Sequence, residues 1–133
     1  MEVEIFALCD AAADYGGKLS LLGTFDSIHA KQFPVSHPHC AVALRVRFER
    51  IEEGEHRVRI NIVDEDGKPI APSVDGNIGV RFPANLSSVC ANIVLNINGM
   101  KFDKPGRYAI DLAIDTRHER FLPLNVVQVE RTR

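Results

Sequence analysis

The stretch that most constrains this chain is Pro105-Gly106-Arg107-Tyr108-Ala109-Ile110-Asp111-Leu112-Ala113-Ile114-Asp115. A Pro-Gly turn feeds a strict two-residue alternation. Tyr108, Ile110, Leu112 and Ile114 point one way; Arg107, Ala109, Asp111, Ala113 and Asp115 point the other. That period belongs to a β-strand with one face on a core and one facing outward.

The same design recurs along the chain. Val42, Leu44, Val46 and Phe48 alternate with Arg45, Arg47 and Glu49, and Val58, Ile60 and Ile62 alternate with Arg57, Arg59 and Asn61. The glycine-bearing stretch Ile51–Glu55 between these runs predicts a β-hairpin over Ala41–Val63. Ala91, Ile93, Leu95 and Ile97 form another inward set, with Asn92, Asn96 and Asn98 outward. Glu2–Leu8 reads as a strand that starts at an edge and ends buried. The alanines of Cys9–Gly17 can make one helical turn, which Gly16-Gly17 stops with a hairpin-like turn. Lys18–Ile28 is a second strand, with Gly23 marking a bulge or bend. Gln32–Cys40, with Pro34 and Pro38, reads as a long connection crossing between sheets.

Asp64–Lys68 is a tight turn with Gly67 at its positive-φ position. Pro69 and Pro72 make the next segment irregular or an edge strand, and Asn77–Phe82 is a short strand. Phe121–Val129 closes the chain. Pro123 cannot donate a ladder hydrogen bond, so this strand lies at an edge, carries a bulge, or starts pairing after Pro123. Tyr108–Ile114 is expected to be central, between the Ala91–Ile97 strand and this final one.

Eight or nine short strands without a long amphipathic helix define an all-β fold. The expectation is one domain over residues 1–133, a two-sheet antiparallel β-sandwich with Greek-key or jelly-roll-like connections. The net charge of -2 carries no electrostatic footprint for nucleic acid. No apolar run approaches the roughly 18 residues of a membrane span. With no signal-like start, the chain reads as cytoplasmic, and Cys9, Cys40 and Cys90 read as reduced thiols.

The densest metal-capable cluster is His37-Pro38-His39-Cys40. Its spacing is not that of a structural zinc site, so it reads as an ordinary loop unless folding brings His29 or His118 alongside. The acidic turn Asp64-Glu65-Asp66, with Asp75, Asp103, Asp111 and Asp115 elsewhere, raises calcium, but EF-hand spacing is absent. There is no Gly-x-Ser-x-Gly elbow, and Gly16-Gly17 leads to a strand, where a phosphate loop leads to a helix. No tryptophan and only two tyrosines disfavour a sugar-binding face. Tyr108 reads as a core or corner residue. No catalytic, cofactor-binding or metal-ligating residue is assigned, and no cofactor is implied.

The outward residues differ between segments. The expected Ala41–Val63 hairpin presents Arg45, Arg47, Arg57 and Arg59 with Glu49. The Ala91–Asp115 pair presents Asn92, Val94, Asn96, Ala109 and Ala113, an uncharged face. Such a face suits packing against another protein or subunit, or cover by a loop of the same chain. The leading function is a non-enzymatic binding or interaction module whose partner is an unidentified protein or a second copy in a homo-oligomer. The alternative is an enzyme or metal-dependent protein with a loop-built site around His37, His39 and the acidic turns.

Phe6-Ala7-Leu8-Cys9-Asp10, the run Gly17-Lys18-Leu19-Ser20-Leu21-Leu22-Gly23-Thr24-Phe25-Asp26, Pro105-Gly106-Arg107-Tyr108 and Leu122-Pro123-Leu124-Asn125-Val126-Val127 resemble a family of small bacterial proteins of unknown function. The resemblance spans nearly the whole chain and implies a stand-alone β-sandwich. It implies no activity, cofactor or catalytic residue.

Overall fold

The structure, a computed structural model, describes residues 1–130. Nine strands run β1 (Glu2–Tyr15), β2 (Lys18–Thr24), β3 (Ser27–Ala30), β4 (Val35–Glu49), β5 (Gly54–Val63), β6 (Val74–Val80), β7 (Ser88–Phe102), β8 (Gly106–Ile114) and β9 (Arg117–Gln128). Sheet A has the order β2-β1-β4-β7 and sheet B the order β3-β9-β8-β5-β6. The inward sets from both sheets meet in one apolar core. Val42, Leu44, Val46 and Phe48 face Val58, Ile60, Ile110, Leu112 and Leu124 across it, all essentially without solvent contact. The all-β two-sheet expectation holds, with one departure from purely antiparallel pairing: β3 runs parallel to β9.

The Ala41–Val63 hairpin does not form. β4 pairs with β1 and β7 in sheet A, whereas β5 pairs with β6 and β8 in sheet B. A single 3-10 turn, Arg50–Glu52, carries the chain over the edge of the sandwich. Glu52 Oε1 closes this turn by accepting from the Glu49 backbone N–H at 2.8 Å. Alternation tells which residues face the core, but two strands face the same core equally well as partners or from opposite sheets. The same ambiguity overturns the expected neighbours of Tyr108–Ile114. β8 is central, but it lies between β9 and β5, and the Ala91–Ile97 segment belongs to sheet A.

Two stretches expected as connections are strand. Cys9–Tyr15 continues β1 and pairs with β2 up to Tyr15↔Lys18 around the Gly16-Gly17 turn. Cross-strand pairing there outweighs the helix preference of three alanines. Val35–Cys40 is the start of β4, paired with β7 from Val35↔Phe102 onward. On β7 the buried set passes from Leu95 and Ile97 to Met100 and Phe102, a change of phase. Gly99, at φ +69, supplies the conformation that makes the change, opposite Pro38-His39. The second strand ends at Thr24, and Phe25-Asp26 carries the chain from sheet A to β3 at the edge of sheet B.

Pro123 sits inside β9, opposite Ala109. Asn125 donates its backbone N–H to Asp26 at 2.8 Å, so that N–H points away from β8. Two residues earlier, the Pro123 nitrogen points to the same side, beyond the end of β3. The ladder thus loses no bond. Tyr108 is both core and corner: it is buried, its ring meets Phe102 edge-on at 4.8 Å, and its hydroxyl donates to the Lys104 carbonyl at 2.7 Å.

Candidate interaction surface

The outer face of sheet A is closed over its middle. β4 alternation puts Ala41, Ala43, Arg45 and Arg47 on this face, yet Ala41 and Ala43 are fully buried. The β1–β2 hairpin covers them. Pairing of β1 with β4 ends at Cys9↔Ala41, and beyond that point β1 pairs only with β2. Ala12, Leu19 and Leu21 of this arm, with Val94 of β7, pack on Cys9, Ala41 and Ala43. At the arm's tip the Gly17 carbonyl accepts from the Asn92 side chain at 3.2 Å. The arm therefore reaches across β4 to β7.

Beside the arm lies a polar ladder. Glu4 is the extra residue of a β-bulge, where the register with β4 shifts between Val3 and Ile5. Its carboxylate accepts from Arg47 Nε at 2.6 Å, from Arg45 Nε at 3.1 Å and from the Cys90 thiol at 3.3 Å. Arg47, then Cys90, hold the Glu4 carboxyl below its ordinary pKa. Arg45 and Arg47 pass the chain of bonds on to Asn92 and Ser88, each at 3.0 Å.

The outer face of sheet B has no such cover among the described residues. β9 alternation buries Leu124 and Val126 and turns Phe121, Pro123 and Val127 outward; Phe121 is 59% exposed and Val127 39%. Register places Phe121 beside Asp111 and Pro123 beside Ala109 on β8. Asn61 and Arg59 of β5 lie opposite Asp111 and Ala113. Arg57, Arg59, Asn61, Ala113 and Thr116 line a shallow concavity of about 280 Å³. The outward residues expected on one face are thus divided. Asn92, Val94 and Asn96 lie on sheet A, partly under the arm, whereas Ala109 and Ala113 lie on sheet B. The four arginines of the expected hairpin divide in the same way.

The turn at the rim of the concavity is unusual. Asp115 and Thr116 join β8 to β9 with φ of 52° and 69°, although neither is glycine. A β-branched residue rarely adopts that conformation. Its neighbour is pinned on both carboxylate oxygens: Asp115 accepts from the Arg57 backbone at 2.9 Å and from His56 Nδ1 at 2.6 Å. His56 Nε2 lies 2.6 Å from the Glu52 carbonyl, and the ring stacks on Phe48 at 4.6 Å. Burial pulls the His56 pKa down, but the Glu52 carbonyl and the Asp115 carboxylate together raise it above its ordinary value. Burial likewise pushes Asp115 up, and the Arg57 N–H with His56 brings it down. A His–Asp pair can orient a general base. Here both ring nitrogens face acceptors, so the pair fastens a turn.

The residues proposed for a loop-built site do not converge. His37 packs on the Phe25 ring at 5.3 Å, His39 Nδ1 meets Asn98 at 2.8 Å, and Cys40 points into the core. His29 sits on β3 in sheet B, and His118 lies 3.6 Å from Asp111. The acidic turn borders two clefts of about 140 and 410 Å³ with the Lys101–Tyr108 segment, and neither histidine lines them. Asp64 Oδ1 is occupied by the backbone of Asp66 and Lys68. Among the described residues, no group of three His, Cys, Asp or Glu side chains is placed to hold a metal ion.

Residues 4–127 match a known protein family. The chain belongs to the Family of unknown function (DUF6941). No curated protein matches it. The DUF6941 match begins at the Glu4 bulge and ends at Val127, so it contains the arm, the polar ladder and the open face. The three cysteines of this DUF6941 chain are free thiols. Burial pushes Cys40 up to about 11 and also raises Cys9; burial and then the Glu4 carboxylate raise Cys90. Each shift disfavours the nucleophilic thiolate. Among the described residues no helix is long and apolar enough to cross a membrane.

Sequence reasoning missed Phe121, Thr116 and the arm. The parity of Leu122, Leu124 and Val126 was the available signal for Phe121. The small pair Ala41 and Ala43, preceding Arg45 and Arg47 on the same side, was the signal for a cover.

Proposed function

We propose that this protein is a non-enzymatic interaction module that associates with a second copy of itself through the outer face of sheet B. One observation carries the reading: the chain closes the middle of one outer face with its own arm and, among the described residues, leaves the other open, with Phe121 59% exposed. The open face is suited to itself. It carries an aromatic knob, Phe121, beside the small residues Ala109, Ala113 and Pro123, and it carries both signs of charge. A two-fold pair uses the same patch twice, so knob and hollow, cation and anion, must coexist on it. Burying an aromatic ring contributes about 2 kcal/mol for each copy. The free cysteines suit a reducing compartment such as the cytoplasm.

Sedimentation equilibrium of the purified chain tests this. The expected result is a concentration-dependent rise from the monomer mass of 14.8 kDa to twice that value. The double variant Ala109→Lys/Ala113→Lys is expected to melt like the wild type and to remain monomeric. A wild type that stays monomeric at about millimolar concentration rejects the reading, because an interface of standard size holds well below that.

A further inference from the structure

On the open face, among the described residues, the Arg57 guanidinium has no carboxylate at salt-bridge distance, with Asp75 only within longer electrostatic reach, and the Asp111 carboxylate has no Arg or Lys partner. Arg59 is engaged with Asp75 at 2.9 Å, and Asp115 with His56 and the Arg57 backbone. Among the described residues the Arg57 guanidinium makes no hydrogen bond or ion pair, and neither do the Asn61 amide and the Thr116 hydroxyl, although Asn61 is half-buried. These donors converge on the concavity of about 280 Å³. Asp111 has only the His118 ring, at 3.6 Å. It cannot neutralise Arg57 of its own chain at contact distance. Its register partner is Asn61, four residues from Arg57, or about 13 Å along the strand.

We propose that the Asp111 carboxylate of one copy enters the Arg57–Asn61–Thr116 concavity of the other, and the reverse. This rests on the self-association reading above. A two-fold axis makes the contact reciprocal, giving two identical ion pairs. A guanidinium offers a planar fork that matches a carboxylate, and the Asn61 amide and Thr116 hydroxyl supply further donors. Ala113 lines the concavity with a methyl group only, leaving room for the incoming side chain. The constrained Asp115-Thr116 turn holds the Thr116 hydroxyl at the rim. The contact also sets the register of the two copies, because a slipped pair leaves each carboxylate away from its arginine.

Charge exchange tests the proposal in the full-length chain, with dissociation constants from sedimentation equilibrium and thermal melts confirming that each variant is folded. Arg57→Asp and Asp111→Arg are each expected to weaken self-association at least about tenfold. Mixing the two variants is expected to restore association to within about threefold of the wild type. In the mixed pair the two reversed charges face each other at one contact, and the native Arg57 and Asp111 face each other at the second. Where a charge-reversed variant fails to fold, Arg57→Gln and Asp111→Asn take its place, and each must weaken association while their combination weakens it no further. A dimeric wild type whose affinity neither single variant changes, or a mixture no tighter than its components, overturns the ion pair and leaves self-association standing. A monomeric wild type removes both.

Discussion

The two sheets of this sandwich treat their outer faces differently. On sheet A, Ala41 and Ala43 stand between larger inward residues, and the β1–β2 arm folds back to bury them. On sheet B, Ala109 and Ala113 occupy the same kind of position and stay half-buried, with no arm over them among the described residues. The residue types are alike and the environments are not. A small apolar side chain on an outward position marks a place where something can approach the sheet closely. The arm is that object on sheet A.

A lysine scan across the two faces is the strongest way to break this comparison. Ala43→Lys places a long charged side chain where the arm leaves no space. It is expected to cost about 3 kcal/mol or more, read as a lowered denaturant midpoint. In a Cys90→Ser background it should also make Cys9 reactive to a thiol reagent, while Cys40 stays protected in the main core. A silent Ala43→Lys would mean that the arm is not a packed roof.

The turn bordering the open face comes next. His56→Asn removes a bridge between the Glu52 carbonyl and Asp115, and is expected to cost about 1–2 kcal/mol at pH 6. The folded-state pKa of His56 is raised, so its protonated bridge contributes fully below the unfolded value of about 6.5 and is lost as pH rises through the folded value. The gap between wild type and variant should therefore shrink from pH 6 to pH 9. A gap that widens in chemical denaturation contradicts the charged bridge.

Thr116→Gly sharpens the picture in the opposite direction. Glycine accepts φ of 69° without a Cβ penalty, so stability should rise by about 1 kcal/mol in thermal melts. An unchanged or lower stability would show that the Thr116 side chain contributes more than its backbone conformation costs. The smallest effect belongs to Ala109→Lys, the counterpart of Ala43→Lys. In dilute, monomeric protein it should shift stability by no more than about 0.5 kcal/mol. A loss as large as that of Ala43→Lys would show that the outer face of sheet B is also closed.

The inward half of the fold was legible because burial forces a period of two on every strand that faces the core. Tyr108, Ile110, Leu112 and Ile114, and Val42 through Phe48, are buried as their alternation requires. Pairing was not legible, because Phe48 and Val58 present the same alternation whether their strands are bonded together or oppose each other across the core. The arm escaped for a related reason. Three alanines carry a helix preference, and their cross-strand partners Leu22, Leu21 and Ser20, together with the sheet beneath, decide against it. Small uncharged outward residues were visible from the start, but sequence spacing could not divide them between two faces. The histidine cluster failed on geometry, because Cys40 faces the core while His37 and His39 take separate partners.

Pro123 has a consequence for how copies of this chain can meet. Sheets commonly aggregate by edge-to-edge growth, in which a foreign strand takes up exposed N–H and C=O groups. β3 covers only four residues of the outer side of β9, and directly beyond it the next inviting position is a proline with no proton to offer. A strand arriving to extend that edge finds its ladder interrupted at the first step. Growth of the sheet is guarded at that position of β9.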